Sequence, residues 1–126
     1  MCAQCAIGAS NTRRRELARR YEIGIGNVMW GNDFPHPEGT WPHTREWLRG
    51  AFHDIPVDET AAMLGGNTAA TYGFDLDALA PLAARVGPTP EALGQDGADL
   101  AKWDALAAAG RPWLTGVEAL PAVVAE

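Results

Sequence analysis

The side chains best suited to chemistry lie close together in this sequence, where Asp33, His36 and His43 give the spacing D-x2-H-x6-H. A carboxylate such as Asp33 can bind a hard or borderline metal, orient a metal-bound water or accept its proton. It can equally do no more than hydrogen-bond the backbone of the proline-containing turn that follows. Imidazole is a good zinc ligand and a loop could gather all three residues, although the spacing matches no common structural zinc motif. His36 is nearer than His43 to the apolar run before it and is the better candidate for a substrate contact. His53, beside Phe52 in a helical pattern, reads as structural.

Two further groups read more plainly. Cys2-x-x-Cys5 has the spacing of a redox pair or half a zinc site but lacks a second pair, so buried or terminal thiols are the simpler reading. Arg13, Arg14, Arg15, Arg19 and Arg20 surround a helix at 3.6 residues per turn instead of forming one stripe, and Glu16 and Glu22 interrupt them. That is the pattern of a solvated helix face and not of a phosphate or nucleic-acid site.

The elements that must position these residues follow from patterning. Residues 5–10 predict a short strand, after which Ser10 or Asn11 can cap one helix through Glu22, with Leu17 and Tyr21 as its apolar stripe and Gly24 or Gly26 as its stop. Residues 27–31 are almost continuously apolar, as in a strand covered on both faces. Strand, helix and buried strand in that order predict a parallel βα repeat, and Asp33 stands just past the second strand, where parallel folds keep their working side chains. Pro35, Pro37 and Gly39 hold the next stretch out of regular structure. Helices are then expected from Thr40 or Thr44, from Pro56 with Asp58 as cap and Gly65-Gly66 as end, from Asn67 as cap, and from Asp75 or Asp77 with Pro81 near the first turn. A cap at Thr89-Pro90-Glu91 and an Ala-rich helix near Leu100–Ala109 follow.

Composition bounds the function. Alanine supplies 23 of the 59 residues behind the 47% hydrophobic content, while Val, Ile, Leu and Phe together number 24 of 126, a thin core for this length. No apolar run approaches the roughly 20 residues that cross a bilayer. The start Met-Cys-Ala-Gln-Cys does not read as a secretory signal, so the expected location is the cytoplasm. Residues 1–53 carry +2 and residues 54–126 carry -8, for -6 in all; the acidic second half argues against nucleic acid as a partner. All three histidines lie in the first half, which is where chemistry belongs.

The pattern W-G-x-D-[FY]-P-H at residues 30–36, followed by L-G-G-N-x-A-x-x-Y-G-F at residues 64–74, strongly resembles the C-terminal end of the amidohydrolase-related family, in its aminocarboxymuconate-semialdehyde decarboxylase-like branch. The resemblance covers about residues 1–80. It implies the C-terminal part of a (β/α)8 TIM barrel, an α/β fold, here about strands seven and eight with the following helices and so mostly helical by residue count. Residues 1–75 would be the barrel portion and residues 76–126 a helical C-terminal extension and tail. Asp33 matches the family's aspartate at the end of the eighth strand, a ligand of a divalent metal, usually zinc, or the activator of the nucleophilic water. His36 would sit at the mouth of the active site, facing substrate, and Asn67 matches a helix-capping asparagine with a structural part.

The family's H-x-H pair belongs to the first strand, and this chain has none. A barrel needs roughly 250 residues, and a catalytic zinc wants at least three protein ligands. The expectation is therefore a C-terminal segment of an enzyme that hydrolyses or decarboxylates a small carboxylic or aromatic substrate, inactive and without bound metal as an isolated chain. Its partners would be the small-molecule substrate of the full-length enzyme and, as an open option, further copies of itself. The alternative is a non-enzymatic soluble remnant that associates with a partner chain through open strand edges.

Overall fold

The computed structural model describes residues 5–10, 12–36 and 39–95 together with Ala101. Its elements are mostly helices around one small sheet. In chain order they are β1 (Ile7–Ser10), α1 (Arg14–Leu17), α2 (Arg20–Ile23), β2 (Val28–Gly31), α3 (Thr44–Phe52), α4 (Val57–Ala61), α5 (Asn67–Tyr72) and α6 (Leu76–Val86). Short 3₁₀ turns occupy Ile25–Asn27 and Glu91–Leu93. Cys2, Asn11 and, apart from Ala101, the expected helix near Leu100–Ala109 lie outside the described residues.

The two strands pair in parallel, with Ile7 opposite Val28 and Ser10 opposite Gly31. Residues opposite one another in this register share a face, and faces alternate along each strand. Val28 belongs to the buried cluster and Ala9 and Trp30 pack against it, so this is the helix-covered side of the sheet. Gly8, Ser10, Met29 and Gly31 take the other side. The cluster gathers Leu17, Leu48, Ala51, Ile55, Leu93 and the wholly buried Phe52 and Met63 around Val28.

Three local expectations need correction. The helix expected through Glu22 is divided at Ala18–Arg19 into α1 and α2. Each half is tied to a different helix region: Arg14 makes a two-pronged pair with Asp54, just after α3, and Arg20 Nε donates to Glu59 of α4 at 2.6 Å. Gly65-Gly66 does not end a helix either. A π-helical turn over Ala62–Gly66 carries α4 directly into α5, and Asn67 lies within the continuous helical run with no capping bond. A glycine costs a helix roughly 1 kcal/mol, and burial of Met63 and Ala69 on either side of the pair offsets that. Pro81, finally, is not near a first turn: α6 starts at Leu76, where the Asp75 carboxylate accepts from the Asp77 and Ala78 amides, which leaves the proline in the helix interior. It is exposed there, so the Asp77 carbonyl that it leaves without an amide partner stays open to water.

Beyond α6 the chain returns to the core. Leu93 is buried, Arg49 donates to the Ala92 carbonyl, and Gln95 Nε2 donates to Ile55 O and Thr60 Oγ1, each at 2.8 Å.

Candidate functional site

Asp33 follows β2 by two residues and stands in the left-handed region at φ 63°, in the described chain a conformation that no other non-glycine residue adopts. Such a backbone is uncommon for any residue but glycine, asparagine or aspartate. The loop around it explains how it is held. Asp33 O accepts from the His36 amide at 2.8 Å, His36 O from the Gly39 amide at 2.9 Å, and Asn32 O from the Thr40 amide at 3.2 Å. Gly39 packs so closely under this turn that a Cβ there would lie 2.8 Å from Asn32 O and 3.0 Å from both Asp33 O and His36 O. Only a residue without a side chain closes the loop this tightly.

Asn32 supplies the second clamp. Its Nδ2 donates to Thr40 Oγ1 at 3.1 Å and to Thr44 Oγ1 at 2.6 Å. Thr44, one of the two threonines expected to begin a helix, is the first residue of α3, with no side-chain capping bond at His43, and the hydroxyls of both threonines receive the strand end. Phe34 and Trp41 close the outer side of the loop edge to face, with ring centroids 5.4 Å apart. Residue type and position gave Asp33 and His36 from the sequence. Asn32 gave no such signal; the pair Thr40 and Thr44, four residues apart beyond it, was the available hint.

The structure brings two of the predicted residues together. His36 Nδ1 lies 3.5 Å from Asp33 Oδ2, and both side chains are about half exposed at the C-terminal end of the sheet. His43 is the residue before α3 and stands at that helix's N-terminal end. His53 is buried with Nδ1 2.9 Å from Arg49 O, the structural place expected of it. Cys5 is a free, exposed thiol. Arg14, Arg19 and Arg20 make acid pairs with Asp54, Glu22 and Glu59 in turn. Hydrogen bonding from Arg14 holds the Asp54 carboxyl below the usual carboxylate range. Hydrogen bonds from Arg20 and then Tyr21 do the same for Glu59.

A family model described as amidohydrolase matches residues 10–74, just over half of the chain. The chain belongs to the amidohydrolase family. The match runs from the last residue of β1 to the residue before the α6 cap, and so contains Asp33, its loop and Asn67. No curated protein and no solved structure matches the chain. Amidohydrolases are generally metal-dependent. Among the described residues, however, no group of three or more His, Cys, Asp or Glu could hold a metal ion. The Asp33 carboxylate and one imidazole directed at it are fewer donors than a catalytic zinc requires, so the described residues do not by themselves fit the metal. No described helix is long and apolar enough to cross a membrane.

Proposed function

We propose that this amidohydrolase chain is the C-terminal portion of a (β/α)8 metal-dependent enzyme, with β1 and β2 as its seventh and eighth strands. The observation that carries the reading is the carboxylate of Asp33, held in a left-handed turn immediately past the end of a parallel strand. The C-terminal ends of barrel strands are where this fold keeps its catalytic groups. The indole Nε1 of Trp30 adds support: it is buried on β2 with no hydrogen-bond partner among the described residues. A buried donor of that kind calls for an acceptor from elsewhere, in keeping with a helix-facing side of β2 that packs against more than the described residues.

In this reading the substrate is a small carboxylic or aromatic compound that is hydrolysed or decarboxylated, as in the aminocarboxymuconate-semialdehyde decarboxylase-like branch. Zinc is the expected metal, and the donors missing here belong to the earlier strands. Asp33 takes up a proton from the nucleophile or returns one to the product. His36, half exposed beside it, contacts the substrate. The other parts of the loop position these two: Gly39 by close approach and Asn32 by its bonds to Thr40 and Thr44.

The test starts with the nucleotide sequence upstream of the Met1 codon, which should encode H-x-H and the remaining histidines in frame. In the enzyme expressed from that longer frame, Asp33→Asn should lower turnover by about 10²-fold or more, while His36→Ala should act mainly on KM. A functional ribosome site at Met1 with no such upstream coding sequence would refute the reading. A second reading, a non-enzymatic chain that associates through its strand edges, is favoured by the exposure of Ile7, Gly8 and Ser10 in β1. Size-exclusion chromatography decides on it, since a cooperatively unfolding monomer is incompatible with that reading.

A further inference from the structure

The family match ends at residue 74, and α6 begins two residues later with no buried side chain along its whole length. The chain re-enters the core only at Leu93. From the end of the match onward toward Leu93, Tyr72, Phe74, Leu76, Leu79, Leu82 and Val86 keep 40–64% of their surface exposed. The four on the helix recur at three- and four-residue intervals and form one stripe, about 120° wide at 100° per residue. Phe74 and Leu79 stand at the two positions of a hydrophobic staple across the Asp75 cap, which joins the aromatic pair to the stripe. Tyr72 and Phe74 stack at 5.9 Å.

From this face we infer that α6 pairs with α6 of a second copy, antiparallel about a two-fold axis near Pro81. Leu76 of one copy then meets Val86 of the other, and Leu79 meets Ala83 and Leu82. Area supports a second copy as the occupant. At ~200 Å² for a large side chain the six exposures sum to roughly 600 Å² per copy, the upper limit of what a monomer's largest apolar patch shows. Two such faces together reach about 1,200 Å², the lower end of specific interfaces. Charge supports it as well. Asp77 and Arg85, the charged residues within α6, fall on the side away from the stripe, so pairing buries no charge and sets no like charges face to face. A membrane surface would instead favour a helix rich in Lys and Arg on its polar side, whereas α6 has a single Arg against Asp77 and the Asp75 cap.

The experiment is sedimentation equilibrium of the full 126-residue chain over a concentration series reaching the high micromolar range. The expected result is a rise from the 13.4 kDa of one chain toward twice that mass. Leu79→Glu with Leu82→Glu should stay monomeric throughout with an unchanged circular dichroism spectrum, because neither side chain is part of the core. Ala84→Glu, on the opposite side of the helix, should dimerise as the parent does. A parent chain that stays monomeric, a double variant that still dimerises, or an Ala84→Glu variant that dissociates would each overturn the proposal. None of these outcomes bears on Asp33, so a failure here leaves the catalytic reading as it stood.

Discussion

Asn67 offers the sharpest test of how the βα unit is held together. Its Nδ2 donates to Ile25 O and to Val28 O, both at 2.8 Å, which ties α5 to the entrance of β2. Two carbonyl acceptors require the amide nitrogen at this place, so both bonds depend on one donor group. Asn67→Ala removes them and leaves two part-buried carbonyls without this partner. At about 1 kcal/mol for each net bond the loss is ~2 kcal/mol, a fall of about 8 °C or more in Tm for a domain near this size. Asn67→Asp separates this role from helix capping. As a cap, aspartate is as good as asparagine and stability would hardly change. As a donor it fails, because a carboxylate accepts only and would confront two carbonyl oxygens. The Asp variant should therefore be less stable than the Ala variant at neutral pH. The introduced carboxyl should also have a raised folded-state pKa, since only its protonated form can donate. The sign follows: the stability of that variant relative to Ala improves in acid and is lost as pH rises through the folded value. Urea unfolding of the three proteins, followed by circular dichroism at two pH values, reads both effects. An Asp variant as stable as the parent at pH 7 would refute the tether.

Other perturbations follow from the same contacts. Gly39→Ala places a Cβ against three loop carbonyls, and overpacking of this sort costs roughly 1–3 kcal/mol; thermal unfolding should show it, and a neutral substitution would mean that the loop is not closed over Gly39. Trp47→Phe keeps most of the buried ring but loses the 3.2 Å bond from Nε1 to Thr12 O, which should cost about 1–2 kcal/mol in urea unfolding. Asp54 and Glu59 have carboxyls held below their usual range by Arg14 and Arg20. Their contribution is complete above the ordinary carboxylate pKa near 4 and disappears as pH falls through the lower folded values. Tm should thus fall on the acid side of about pH 4, and Arg14→Ala should flatten part of that fall while lowering the neutral plateau.

Legibility in the sequence divided along the range of the interactions. Local chemistry was readable: Asp75 caps α6 as its position suggested, and Thr89 accepts from the Ala92 amide at 3.2 Å. The parallel pairing of β1 and β2 followed from strand, helix and buried strand in order. Break points were misread wherever a distant contact outweighed propensity. Gly65-Gly66 remains helical between Met63 and Ala69, and the helix through Glu22 is in two parts, whose Arg14 and Arg20 hold partners about forty residues away. Asn67 was legible as structural but not in its role, because an asparagine can serve as a cap or as a tether and its type does not say which.

The face on which a residue falls limits what the sequence could say about the site. Val28 and Trp30 turn toward the helices, and Asn32, two residues further along, reaches Thr40 and Thr44. The intervening Met29 and Gly31 point to the other side, and Asp33 follows in the same alternation before the left-handed turn ends it. A shift of one residue in the strand would exchange the clamp and the carboxylate. Asn32 and Asp33 are adjacent polar residues, and nothing in their types says which is which. The register with β1 and the burial of Val28 decide it, and both belong to pairing and packing. The D-x2-H part of the motif is local enough to survive as a contact, His36 beside Asp33. No group of three or more metal donors stands with them among the described residues, and the spacing D-x2-H-x6-H could not say whether one would.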